Sequence, residues 1–300
     1  MLLDAIAPMI RHQLARRRFF VSGIIMDLHH ATIHTYTTKP WSIDQCIDGY
    51  ARHGFGGISV WRETVDGQDL GRVRKKIADA GLQGVSLVRG GFFTGASLEA
   101  RLAAIVENRK AIDEAEALGL PMIVLVCGAT SGQIPSDNFL QIEQGIEEIL
   151  PYAEAAGIKL AVEPLHPMYA GDRSAVCSLR DANDMVERLH HPLLGVAVDV
   201  FHVWWELDLQ EQIDRCADEG NLFAFHVCDF KPDMEHVLLD RGLPGEGVAN
   251  VGVIDGWVRD TGFDGTTEVE IFSSKYWAGD QDEFLKKIAR SISDLRDPYF

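Results

Sequence analysis

Three hundred residues with 46% hydrophobic content supply enough apolar side chain for one large core, so length alone does not require two domains. A net charge of −17 argues against a nucleic-acid groove, which needs clustered Lys and Arg. The five cysteines (Cys46, Cys127, Cys177, Cys216 and Cys228) are scattered, odd in number and form no CxxC pair, which points to reduced thiols in a cytoplasmic protein.

The chain opens with MLLDAIAPMIRHQLARRRFF. Asp4 interrupts its apolar run, the arginines follow that run rather than precede it, and no small-residue cleavage site comes after. These features predict an amphipathic helix over residues 1–18 packed on the fold, not a signal peptide. No stretch reaches the roughly 18 apolar residues of a membrane span, so no membrane partner is expected.

From there short β-type runs alternate with longer stretches of three- and four-residue apolar spacing. Runs at 20–26, 57–61, 84–89 and 122–127 predict the first four strands; runs at 158–164, 194–199, 222–228 and 266–272 predict the last four. Helical patterns fall at 44–53, 70–80, 98–118, 138–156, 179–189, 209–219, 251–261 and 281–295. Ser42 is the expected N-cap of the first. Glycines at 54, 81, 119, 157, 220 and 262 lie just past six of them, where a left-handed residue is wanted. Eight strands alternating with eight helices predict an α/β fold, a single (β/α)8 TIM barrel spanning residues 1–300 with the extra N-terminal helix. An open doubly wound sheet is the alternative. It should carry a Gly-rich phosphate turn, and neither GxGxxG nor GxxxxGKS occurs.

The last four runs each carry a residue able to bind a metal: Glu163, Asp199, His226 and Glu270. In such barrels active sites lie at the C-terminal strand ends, where all four fall. Any one alone is weak evidence, because a strand-end carboxylate is often a helix cap and a strand histidine is often only hydrogen-bonded. Three carboxylates brought together, however, need a cation or protons to offset their burial. Mostly oxygen donors with one nitrogen suit Mn²⁺ first, with Mg²⁺ or Co²⁺ next, better than a tetrahedral Cys/His zinc site. Glu268 and Glu270 lie two apart in one strand and face the same side, so both are candidates at this point. Asp229, three past His226, is either a partner of the site or a cap of the following turn.

The segments VEPLHP, VDVFH, FHVCD, RGLPGEG and GFDGTTEVEIF together resemble the xylose isomerase-like TIM-barrel superfamily. That group includes sugar phosphate isomerases/epimerases, ketose 3-epimerases, inosose dehydratases and endonuclease IV. The resemblance covers nearly all of the chain after the first helix and is most specific from residue 163 to 272. It implies that Glu163, Asp199, His226 and Glu270 are the metal ligands. Glu270 is preferred because the family's strand-eight glutamate directly precedes a hydrophobic–Phe pair, here Ile271–Phe272. It also implies that His202 and Arg241 contact substrate oxygens, and that Glu163 and Glu270 exchange protons with the substrate as catalytic groups.

A cation at a barrel mouth can polarise a carbonyl and acidify the neighbouring carbon, giving an enediolate that leads to epimerase, isomerase or lyase outcomes alike. His166, in the segment after the fifth strand, is either a further catalytic acid/base or a rim hydrogen-bonding group. His30 after the first strand, Trp61 after the second and Arg89 after the third are expected substrate contacts at the mouth, with Trp204 and Trp205 nearby. Such a mouth holds little positive charge for a phosphate, so an unphosphorylated carbohydrate or glycoside is expected. The leading expectation is a divalent-metal-dependent sugar isomerase or epimerase. The alternative is a lyase that eliminates the aglycone from a 3-keto-glycoside, like the C-glycoside deglycosidases within the superfamily. Those work with a small β-rich second subunit; a homo-oligomer is otherwise expected. Repair of nucleic acid in the manner of endonuclease IV is opposed by the acidic charge and by the absence of that enzyme's extra histidine ligands.

Overall fold

The computed structural model describes residues 28–295. Eight parallel strands close into a barrel in sequence order. They are β1 Ala31–His34, β2 Gly57–Trp61, β3 Gln83–Gly91, β4 Met122–Val126, β5 Lys159–Glu163, β6 Leu194–Asp199, β7 Leu222–Val227 and β8 Thr267–Val269. The surrounding shell is α1 Ile43–Arg52, α2 Leu70–Asp79, α3 Leu98–Leu118, α4 Pro135–Ala156, α5 Leu179–Leu189, the short α6 Val200–Val203, α7 Leu209–Asp218, α8 Val251–Asp260, the short α9 Ser274–Trp277 and α10 Gln281–Asp294. Among the described residues no helix is long and apolar enough to cross a membrane.

The helices start and stop where local chemistry directs. Ser42 and Gln45 form a reciprocal capping box on α1, and Ser97 and Ser178 cap α3 and α5 through their hydroxyls. All six glycines expected past helix ends have positive φ. The helix expected from 138 begins earlier, at Pro135, whose fixed φ suits a first helical position.

The barrel begins at a different place from the one expected. Residues 1–18 and 20–26, read as a helix and the first strand, lie outside the described residues. The barrel closes instead through β1, which pairs with β2 on one side and β8 on the other. Only Ala31 and Ile33 in β1 are apolar; Thr32 and His34 are equally buried. A run half made of polar residues is invisible to an apolar count. β8 is also shorter than the expected 266–272, ending one residue before Glu270.

Two apolar layers hold the fold. The larger lies between strands and helices and includes Ile33, Ile58, Leu160, Val196 and Phe225. Burial of each such side chain stabilises the fold by about 1.5–3 kcal/mol. The second is small and includes Val88, Met122, Val124, Ala161, Ala197 and Ala224, with Trp61 and Phe272. Alternation along a strand puts Ala161, Ala197 and Ala224 on the same face as Glu163, Asp199 and His226, two residues on in each case. Three methyl groups beneath three long polar side chains leave room for those side chains to converge.

Candidate active site

Each candidate ligand is carried by its strand to one end of the barrel. Ligand atoms of Glu163, Asp199, His226 and Glu270 all lie within 4.8 Å of one another, and all four residues are buried. His226 Nδ1 sits 2.9 Å from Glu163 Oε1, whereas its buried Nε2 has no hydrogen-bond partner. Glu268 belongs to an adjoining group with His34 and His226. Its Oε2 accepts hydrogen bonds from Ser59 Oγ at 2.5 Å and Ser86 Oγ at 3.2 Å and lies 3.1 Å from His34 Nε2. Glu268 is therefore engaged by the barrel interior, while Glu270 faces the other three strand-end groups.

After β7 the chain makes an excursion before α8, and this excursion brings in Arg241. Asp229 and Gly242 exchange backbone hydrogen bonds at its base. The Asp229 carboxylate accepts from the amides of Phe230, Gly245 and Ala249, so its role is to cap this turn. Arg241 N donates to Phe272 O beside β8, and the guanidinium Nη1 lies 2.8 Å from Glu270 Oε2 and 3.3 Å from Asp199 Oδ2. His202, on α6 directly after β6, presents Nε2 3.6 Å from Asp199 Oδ2.

The electrostatics follow from burial. The Arg241 guanidinium faces the Asp199 and Glu270 carboxylates, whereas Glu163 lies beside the His226 imidazole and Glu268 beside those of His34 and His226. Burial pushes the Asp199 carboxyl up to about 7 against the pull of Arg241. Burial alone would depress the His226 imidazole, but the Glu268, Glu163 and Glu270 carboxylates carry it up to about 10. Glu270 goes the other way: although burial opposes it, His34 and Arg241 hold it well below the usual carboxylate range. A divalent cation would supply the same compensation. The donor set and the close spacing fit such an ion, with Glu163, Asp199, His226 through its Nδ1, and Glu270 to hold it.

The cluster opens into a cleft of about 40 Å³ lined by Trp61, Arg89, Tyr169, Arg173, His202 and Arg241 among others. Leu238 of the excursion lines it too, and Tyr169 Oη donates to Val237 O at 2.6 Å, tying that excursion to the segment after β5. The structure thus brings Trp61, Arg89, His202 and Arg241 to one place beside Glu163 and Glu270. A wider depression of about 810 Å³ over α7, lined by Leu207, Asp214 and Trp257, contains none of these residues.

Two expected contacts are placed elsewhere. His30 precedes β1 instead of following the first strand, so it stands at the opposite end of the barrel and is exposed. His166 does not line the cleft: its ring stacks on Phe230 at 5.4 Å, its Nδ1 accepts from Met168 N, and burial lowers its basicity. That placement accords with the rim role weighed for it. Conversely, His34 was missed. Its Nδ1 lies 3.0 Å from Glu270 Oε1, and its position at the end of the β-branched run ATIH was the available signal. Tyr169 and Arg173 of the cleft were missed as well, because nothing local distinguishes them from loop residues.

Residues 47–290 match the sequence profile of the xylose isomerase-like TIM barrel family. The chain belongs to this family. Among curated proteins, the inosose isomerase of Bacillus licheniformis is 24% identical over 213 residues, covering 70% of this chain and 74% of that protein. Among solved structures, a protein of Sinorhizobium meliloti 1021 is 36% identical with a TM-score of 0.86, covering 89% of this chain and 98% of the other. A structure of the IolI protein with a bound zinc atom has the same fold, at 20% identity and a TM-score of 0.79 over 90% of this chain and 99% of that one.

Proposed function

We propose that this protein is a carbohydrate isomerase or epimerase that depends on a divalent metal and works by moving a proton next to a carbonyl. The observation that carries the reading is the convergence of Glu163, Asp199, His226 and Glu270 at the strand ends, in a chain similar to an inosose isomerase. Bound by these four residues, a divalent ion supplies Lewis acidity that polarises a sugar carbonyl. Mn²⁺ is first on donor chemistry, and zinc, found in the IolI structure, is the alternative.

This chain's own groups supply the rest. Glu163 on β5 and Glu270 just past β8 approach the cleft from different sides, so one carboxylate removes a proton from the carbon next to the carbonyl and the other returns one. Arg241 places a buried guanidinium where negative charge develops on oxygen, with His202 beside it. The Tyr169–Val237 bridge and Leu238 hold the excursion beside the narrow cleft, and opening of that bridge would admit a substrate. Closing it again excludes water from the enediolate. The lyase alternative drew on His166 as an additional acid/base and loses that support with His166 stacked on the rim. Five free thiols accord with a cytoplasmic setting.

The test is isotope exchange. Protein loaded with Mn²⁺ and incubated in D₂O with inososes and ketoses should place solvent deuterium on a carbon beside the carbonyl. Glu163→Gln and Glu270→Gln should each slow that exchange by about a thousandfold, a typical loss for a positioned acid/base. No exchange with any of these compounds would overturn the proposal.

A further inference from the structure

Two arginines of the cleft form no ion pair among the described residues. Arg89 leaves the sheet on β3, Arg173 lies between β5 and α5, and both are half-buried against the same cleft. Among the described residues neither guanidinium donates a hydrogen bond or forms an ion pair. The contrast with Arg62, Arg72, Arg180, Arg188, Arg215 and Arg241 is plain, since each of those holds a carboxylate. In a chain of net charge −17, carboxylates are abundant, and yet no described one comes within ion-pair distance of these two.

Aromatic rings hold both guanidinium groups instead. Arg89 lies over Phe92 at 4.4 Å and near Trp61 at 6.0 Å, and Arg173 lies over Tyr169 at 5.7 Å. A ring contacts the flat face of a guanidinium and leaves its five N–H donors free in the plane, which is the arrangement that receives a carboxylate or phosphate. Burial also disfavours the charge on Arg89, so an anion arriving there recovers stabilisation the empty rim lacks. The depth of the groups is ordered: Glu163, Glu270 and Arg241 are at most 4% exposed, whereas Arg89 and Arg173 lie nearer solvent.

We propose that Arg89 and Arg173 form an anion-binding rim, so that the substrate carries a carboxylate or a phosphate monoester on the end remote from its carbonyl. This rests on the isomerase reading, and it replaces the neutral carbohydrate expected from sequence, where Arg173 went unnoticed. The carbonyl end reaches the strand-end cluster, the charged end stays at the rim, and the pair reverses locally the repulsion that the acidic chain exerts on an anion.

Calorimetry on the full chain loaded with Mn²⁺ tests it with three ketoses: D-fructose, D-fructuronate and D-fructose 6-phosphate. At least one charged ketose should bind ten times more tightly than D-fructose, with an advantage that shrinks as salt rises. The preferred one identifies the anion as carboxylate or phosphate. In the Arg89→Gln/Arg173→Gln protein the ratio of charged to neutral affinity should fall close to one, and Arg89→Lys/Arg173→Lys should restore part of it. Equal affinity for D-fructose, or a ratio that survives the double glutamine substitution, overturns the inference. If D-fructose also exchanges hydrogen with D₂O in that case, the isomerase reading stands while the rim falls; if no ketose binds or exchanges, both fall.

Discussion

Asp229 shows how much one side chain can organise. It is 2% exposed, and its carboxylate accepts from three backbone amides, those of Phe230, Gly245 and Ala249. Asp229→Ala leaves these donors without an acceptor, at about 1–3 kcal/mol for each that water cannot reach. A loss of roughly 3 kcal/mol in unfolding free energy is expected, measured by urea denaturation. Asp229→Asn, which keeps an acceptor oxygen, should lose less than half as much; equal losses would refute the capping role. The excursion these bonds shape carries Arg241, so a stability residue here also sets the position of a site residue. From sequence Asp229 stood evenly between cap and site partner, because a carboxylate three positions after a strand histidine fits either. His34 illustrates the opposite difficulty: its significance comes from Glu270 and Glu268, more than two hundred residues away.

At the scale of elements, the start of α5 and the pairing of β3 with β4 each yield an expected outcome. Glu206, in the segment between α6 and α7, accepts from Leu179 N at 2.7 Å on the first turn of α5, and burial pushes its carboxyl up to about 7 from 4.5. The folded chain therefore holds this proton more tightly than the unfolded chain. The stabilisation is complete below about 4.5 and is lost as pH rises through about 7. Melting temperature recorded across that window should fall in the native protein and fall less in Glu206→Gln, which keeps the acceptor and cannot ionise. Gly91 pairs with Val126 at the end of β3 with φ of 104°, and a Cβ there would stand 2.0 Å from Val126 O. Gly91→Ala must part the two strands and also bear a strained backbone, so a loss of about 3 kcal/mol or more is expected in chemical denaturation. Because Arg89 lies two residues earlier, any surviving protein should also lose affinity for charged ketoses.

For the molecule as a whole, the proposed divalent ion gives the expected outcome. A ligand bound only by the folded state at a hundred times its Kd stabilises by about 2.7 kcal/mol, or roughly 5–10 °C in a chain of this size. Mn²⁺ or Zn²⁺ should raise the melting temperature by that order, EDTA should reverse it, and Glu163→Gln/Glu270→Gln should abolish it. An undiminished shift in the double variant would place the ion somewhere other than the strand-end cluster.

The alternation of the seven strand runs from 57 onward with helical patterns was legible along the chain, as were the six glycine stops and the ligand-type residues of the last four runs. All of these are local: a period of two or 3.6, a cap, or a strand end can be read within a dozen residues. Glu163, Asp199, His226 and Glu270 occupy the same place in successive units, which is why their convergence could be foreseen. Barrel closure could not, because β1 is half polar and is defined by its pairing with β8 at the far end of the chain. The removal of His30 to the other end, the stacking of His166 on the rim, the capping by Asp229 and the joining of Arg89 with Arg173 were decided only by tertiary structure. Each depends on where closure and the connecting segments carry a side chain, and contacts between distant parts of the chain leave no local period to read.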